Sequence, residues 1–141
     1  MKILFATDGS AHALAALKTL LDRFGWFRES VDLTVINVHP ALPYRRAAGW
    51  AGKDAITKYY EEEGNAALKP SVDELTRRSI AYKTDKRVGE PAPMIVNAAR
   101  EGAFDLIAMG TQGHTALATL MLGSVSAKVL AEAAVPVLLL R

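Results

Sequence analysis

The run Asp105-Leu106-Ile107-Ala108-Met109-Gly110, its continuation Thr111-Gln112-Gly113 and, nine residues further on, Gly123-Ser124-Val125-Ser126 decide how this chain folds. Asp105 to Gly110 is an apolar run of strand length, as expected of a strand buried on both faces of a parallel sheet. A glycine-rich loop follows it. A helix is predicted from about Ser124 to Ala133, and Val135 to Leu140 is a further apolar strand. Parallel strands need right-handed helical crossovers, and this strand, loop, helix and strand supply one.

The same alternation extends back to the N-terminus. Lys2 to Thr7 is a short apolar run, after which Ser10 can cap a helix with Leu14, Leu17, Leu21 and Phe24 at helical spacing. Gly25 is placed to end that helix. Leu33 to Val38 is a β-rich run stopped by His39-Pro40, and Pro40 to Gly52 reads as a long loop carrying Arg45, Arg46 and Trp50. Lys53 to Arg78 has the composition of a long amphipathic helix, with Ile56, Tyr59, Tyr60, Leu68, Val72 and Leu75 as apolar positions. Pro70 is expected to kink or split it.

Ser79 to Val88 alternates, with Ile80, Tyr82 and Val88 on one face and Lys83, Asp85 and Arg87 on the other. A helix follows from Pro91, and Gly102 closes it. The order is βαβαβαβαβ, which predicts an α/β doubly wound domain: one parallel sheet with helices on both faces. Lys83, Lys86 and Arg87 are the charges that protect a free sheet edge. Val135 to Leu140 carries none, so it is either internal or an opposite edge that a two-fold partner covers by pairing the same strand.

A chain of 141 residues, half of them hydrophobic, is of one-domain size, and residues 1–141 are read as a single domain. Its 17 Lys and Arg against 15 Asp and Glu leave a scattered net charge of +2, too little to grip a nucleic-acid backbone. With no cysteine, disulfide scaffolds, thiolate nucleophiles and cysteine-ligated metals are excluded. Ile3 to Ala6 is too short for a signal-peptide core, and no stretch reaches membrane-span length, so a cytoplasmic protein without a membrane partner is expected.

Ligands of doubly wound sheets bind beyond the carboxyl ends of the strands. Asp8 follows the first strand, His39 the second, and Gly110-Thr111-Gln112-Gly113 the fourth. The pattern G-x2-G-x9-G-S from Gly110 to Ser124 suits an anion: glycines admit a close backbone, free N–H groups at a helix start carry partial positive charge, and Ser124 and Ser126 add hydroxyls. Singly, Gly110 and Gly113 could merely turn the chain, and Ser124 could merely cap the helix. Asp8 reads as a turn former or a ligand contact, with its strand-end position favouring contact, and His39 as loop filler or a crevice residue. His12 reads as a solvated residue of the first helix. The three histidines, His12, His39 and His114, lack metal-ligand spacing. No P-loop and no dinucleotide turn is present.

These residues resemble the universal stress proteins, specifically their ATP-binding branch. The resemblance covers the whole chain and is carried by Asp8-Gly9-Ser10, Gly89-Glu90-Pro91, Asp105 to Gly110, the complete G-x2-G-x9-G-S signature and Val135 to Leu140. It implies a five-stranded parallel sheet of order 3-2-1-4-5 and a homodimer through the last strand. It also implies a stress-response module regulated by ATP, ADP or AMP, with Mg²⁺. Ala6, Thr7, Asp8, Val38 and Met109 would meet base and ribose. Gly110, Thr111, Gly113, His114, Gly123, Ser124, Val125 and Ser126 would hold ribose and phosphates.

One departure stands out. The family often carries Arg or Lys after the second glycine and within the nine-residue stretch, where this chain has His114, then Ala118 and Thr119. Lys128, one turn beyond Ser124, is the nearest substitute cation. A slow ATPase or phosphotransferase would have only Asp8 and His114 to call on, and a nucleotide-free dimeric interaction protein of the same fold is the third reading.

Overall fold

The computed structural model describes residues 1–43, 52–112 and 122–141. Strand β1, Lys2–Ala6, lies at the centre of the sheet, and Ile3, Leu4 and Phe5 are fully buried because both of its faces are covered. Ser10 then caps α1, Ala11–Leu21, its Oγ accepting from Ala13 N–H at 3.1 Å as expected. Strand β2 spans Asp32–His39, helix α2 Lys53–Arg77, strand β3 Tyr82–Val88, helix α3 Pro91–Glu101, strand β4 Leu106–Gly110, helix α4 Ser124–Glu132 and strand β5 Val137–Leu140. All four pairings are parallel, and the order is β3-β2-β1-β4-β5. The charged strand and the apolar last strand are thus the two edges.

Alternation along β1 sends Ile3 and Phe5 to one face and Leu4 and Ala6 to the other, and each side chain finds a different core. On the first face they meet Leu17 and Leu20 of α1 and Leu68 and Leu75 of α2. The second face packs on Ala92, Ile95 and Ala98 of α3 and Val129 of α4. Full burial of one such Leu, Ile or Phe is worth about 1.5–3 kcal/mol, so these two layers fix which helix lies on which face.

Three local expectations need correction. Gly25 does not end α1: the helix stops at Leu21, and Gly25 sits in a separate 3-10 turn, Phe24–Trp26. Pro70 does not split α2, which runs unbroken for 25 residues. The carbonyl that loses its i+4 donor there belongs to Ala66, an exposed residue that water can serve. Val88, which alternation places with Tyr82, is 39% exposed at the end of the edge strand.

Two helices are followed by a left-handed residue that is not glycine. After α2, Ser79 takes φ 55, with Ile80 N–H bonded to Leu75 O and Ser79 N–H to Thr76 O. After α3, Ala103 takes φ 48 and Phe104 N–H bonds Ala99 O. Gly102 closes α3 for another reason: a Cβ there would lie 2.3 Å from the Phe104 ring. At the end of α2, the nearly buried Glu74 accepts from Arg77 and Arg78, which hold its carboxyl down at about 2, and Arg78 reaches on to Asp22 beyond α1 at 2.5 Å.

Candidate functional site

The carboxyl ends of β1, β2 and β4 open into one crevice, and the turn after β1 shapes its floor. Thr7 N–H bonds Ile36 O at 2.9 Å, and the buried Asn37 amide donates to Thr7 O at 2.9 Å, tying β1 to β2 where the strands stop. Gly9 N–H then donates to Thr7 Oγ1 at 3.1 Å and Ser10 N–H to Asp8 Oδ1 at 2.9 Å. The turn reading of Asp8 therefore holds, and the same residue lines the crevice. Gly9 has φ 79, and a Cβ on it would stand 2.8 Å from the Ala67 backbone of α2. The glycine is required by both conformation and close approach.

On the β4 side, Gly123 N–H donates to Thr111 O at 2.8 Å, and Ala127 N–H makes the first bond of α4, to Gly123 O. Gly123 is thus the N-cap, and Ser124 is the first helical residue. The N–H groups of Ser124, Val125 and Ser126 precede that first helical bond, so they form the donor end of the helix. Ser126 was expected to offer its hydroxyl to a ligand. Instead its buried Oγ donates to Gly110 O at 2.9 Å, bracing the end of β4 against α4.

Between these two corners lies a cavity of about 460 Å³, within the size range of small-molecule pockets. Ala6, Thr7, Asp8, Val38, Met109, Gly110, Gly123, Ser124, Val125 and Ser126 all line it. Thr111 does not. It faces a smaller cavity of about 120 Å³ with His12, Gln112 and Arg141. Gly113, His114, Ala118 and Thr119 lie outside the described residues, as do Arg45, Arg46 and Trp50. Ile36, Val38, Ile95 and Met109 give the main cavity an apolar lining, and the turn after β1 and the start of α4 give it polar groups.

Helix α2 supplies a wall that the sequence reading missed. Glu63 and Ala67 line the cavity with His39 and Pro40. His39 is a crevice residue: its ring meets Tyr59 and Tyr60 edge-on at 5.5 and 5.4 Å, its Nδ1 is 2.7 Å from Pro40 O, and its Nε2 is 3.9 Å from Glu63 Oε2. The spacing Tyr59, Tyr60, Glu63 and Ala67 along one helical stripe was the signal that could have pointed to this wall.

Charge on the cavity is one-sided. Its lining includes the carboxylates of Asp8 and Glu63 and, among the described residues, no Lys or Arg. Lys128, the expected substitute cation, is engaged with Glu90 Oε1 at 2.6 Å, and that hydrogen bond raises its pKa. Among the described residues no group of three or more His, Cys, Asp or Glu could hold a metal, and no helix is long and apolar enough to cross a membrane.

A model of the universal stress protein family matches residues 1–141. A universal stress protein of Thermus aquaticus is 55% identical over 143 residues, 99% of this chain and 97% of its own length. Among solved structures, the hypothetical protein MJ0577 is 27% identical with a TM-score of 0.78, over 99% of this chain and 94% of that one. The universal stress protein from Archaeoglobus fulgidus, solved in complex with dAMP, is 22% identical with a TM-score of 0.69, over 100% and 98% of the two chains, a likeness of fold.

Proposed function

The chain belongs to the universal stress protein family, and from that membership we propose that it is a stress-response module that binds an adenine nucleotide in the cavity between β1, β2 and α4. The observation that carries this reading is the polarity of the cavity, an apolar slot leading to a helix start. Ile36, Val38, Ile95 and Met109 suit a purine face, and Asp8 suits a ribose hydroxyl. The N–H groups of Ser124, Val125 and Ser126, with Gly110, Gly113 and Gly123, suit phosphate oxygens. ATP would bring Mg²⁺ on its phosphates, because the described residues offer no three-ligand cluster to hold the ion themselves. That an A. fulgidus protein of the same fold was solved in complex with dAMP supports the choice of an adenine nucleotide.

Purified protein, denatured by heat or acid and chromatographed, is expected to release adenine nucleotide in near-stoichiometric amount. Ligand-free protein is expected to gain several degrees of thermal stability on adding saturating nucleotide. An empty preparation whose unfolding temperature no adenine nucleotide moves would refute the reading.

The module is further proposed to be a homodimer through β5. Ile107 N–H bonds Pro136 O and Thr111 N–H bonds Leu140 O, so the even-numbered residues of β5 point their backbone groups at β4. Val137 and Leu139 therefore direct theirs outward, along an edge with no charged side chain between Val137 and Leu140. Leu139→Pro removes one outward donor while leaving the inward ladder, and it is expected to sediment as a monomer where the parent sediments as a dimer. A variant that remains dimeric would put the interface on another face.

A further inference from the structure

Resting on the nucleotide reading above, we infer that this cavity selects adenine nucleotides of low phosphate charge, AMP or a cyclic monophosphate over ATP, and that Glu90 sharpens the selection by competing with the phosphates for Lys128.

Among the described residues, the phosphate end has a small supply of positive charge. A helix start offers the equivalent of about half an elementary charge. A single phosphomonoester already carries about −1.5 to −2 near neutral pH, and every added phosphate increases the deficit. The described lining contributes Asp8 and Glu63 on the negative side and no Lys or Arg on the other. Ser126 cannot add a hydroxyl donor while its proton is committed to Gly110 O. Residues 113–121 contain no Lys or Arg in their sequence.

Among the described residues, Lys128 is the cation best placed to correct the deficit. It stands four residues after Ser124 on the same stripe of α4, one turn beyond the residues that line the cavity. Glu90, the N-cap of α3, makes no capping bond with its side chain, and its carboxylate takes the Lys128 ammonium at 2.6 Å instead. Pro91, the next residue, lines the cavity, so this ion pair bridges α3 and α4 beside its mouth. Both partners are more than half exposed, and a pair of that kind is weak enough for a polyphosphate to compete with it. The modest effect expected of Glu90 follows from that exposure.

The test is calorimetric titration of the ligand-free full chain with adenosine, AMP, cyclic AMP, ADP and ATP, in EDTA and again in Mg²⁺. In EDTA, AMP is expected to bind at least tenfold more tightly than ATP, and Mg²⁺ to narrow that gap. Glu90→Gln should tighten ATP by about three- to tenfold and leave AMP within twofold, and Lys128→Met added to it should abolish the gain. ATP binding as tightly as AMP in EDTA overturns the inference while leaving the nucleotide reading intact. A Glu90→Gln variant with no gain, or a gain that survives Lys128→Met, overturns the role of the ion pair. Failure of adenosine and AMP alike to bind overturns the nucleotide reading, and this inference with it.

Discussion

Replacing Gly9 by alanine is expected to destabilise the protein by about 2–6 kcal/mol, the largest effect of any single-methyl change at the described glycines. Two independent costs meet at this position. The backbone has φ 79, where an L-residue pays about 1–3 kcal/mol when the surroundings hold it there. The new Cβ would also lie 2.8 Å from Ala67 Cα and O, backbone atoms in the middle of α2 that no rotamer change can clear, and overpacking of that kind costs about 1–3 kcal/mol. The thermal midpoint should fall by on the order of 10 °C for a chain of this size. Gly25→Ala is the matched control: nothing lies within 4 Å of its Cβ and its φ is not positive, so its midpoint should stay put or rise slightly. Equal midpoints for the two variants would mean that α2 does not rest on the turn after β1.

Val38→Trp is expected to cost at least a hundredfold in nucleotide affinity, about 2.8 kcal/mol, while leaving the fold in place. Val38 is half-buried near the end of β2, pairs with Arg87 of β3 through its backbone, and presents its side chain to the apolar part of the cavity. An indole there fills the slot assigned to the base but disturbs no strand hydrogen bond. Titration with AMP reads the loss, and far-ultraviolet circular dichroism reads the fold. Parental affinity in a folded Val38→Trp protein would move the ligand out of this cavity.

Much of this architecture is legible in the sequence because the decisive signals are local. Ile3 to Ala6 and Leu106 to Met109 are apolar at consecutive positions, which a strand covered on both faces tolerates, Leu33 to Val38 is β-rich and broken only by Thr34 and Asn37, and Ser10 and Pro91 mark helix starts by their own chemistry. What escapes the sequence is decided by partners far along the chain. Whether Pro70 breaks α2 depends on which side of the docked helix faces water. The commitment of Ser126 is to a carbonyl sixteen residues earlier, and His39 meets Glu63 and the two tyrosines only after α2 has packed against β2. Glu63 sits in a helix whose charged residues mostly face solvent, so composition gives no reason to single it out.

The two bonds that join β4 to α4, Gly123 N–H to Thr111 O and Ser126 Oγ to Gly110 O, close the backbone on itself across the segment between them. The end of β4 and the start of α4 are thereby riveted to each other directly, so the distance between the strand that floors the crevice and the helix whose N–H groups face it is set by Gly110, Thr111, Gly123 and Ser126 themselves. Shortening or lengthening either bond would move a donor end, and the crevice keeps its width only while both are made.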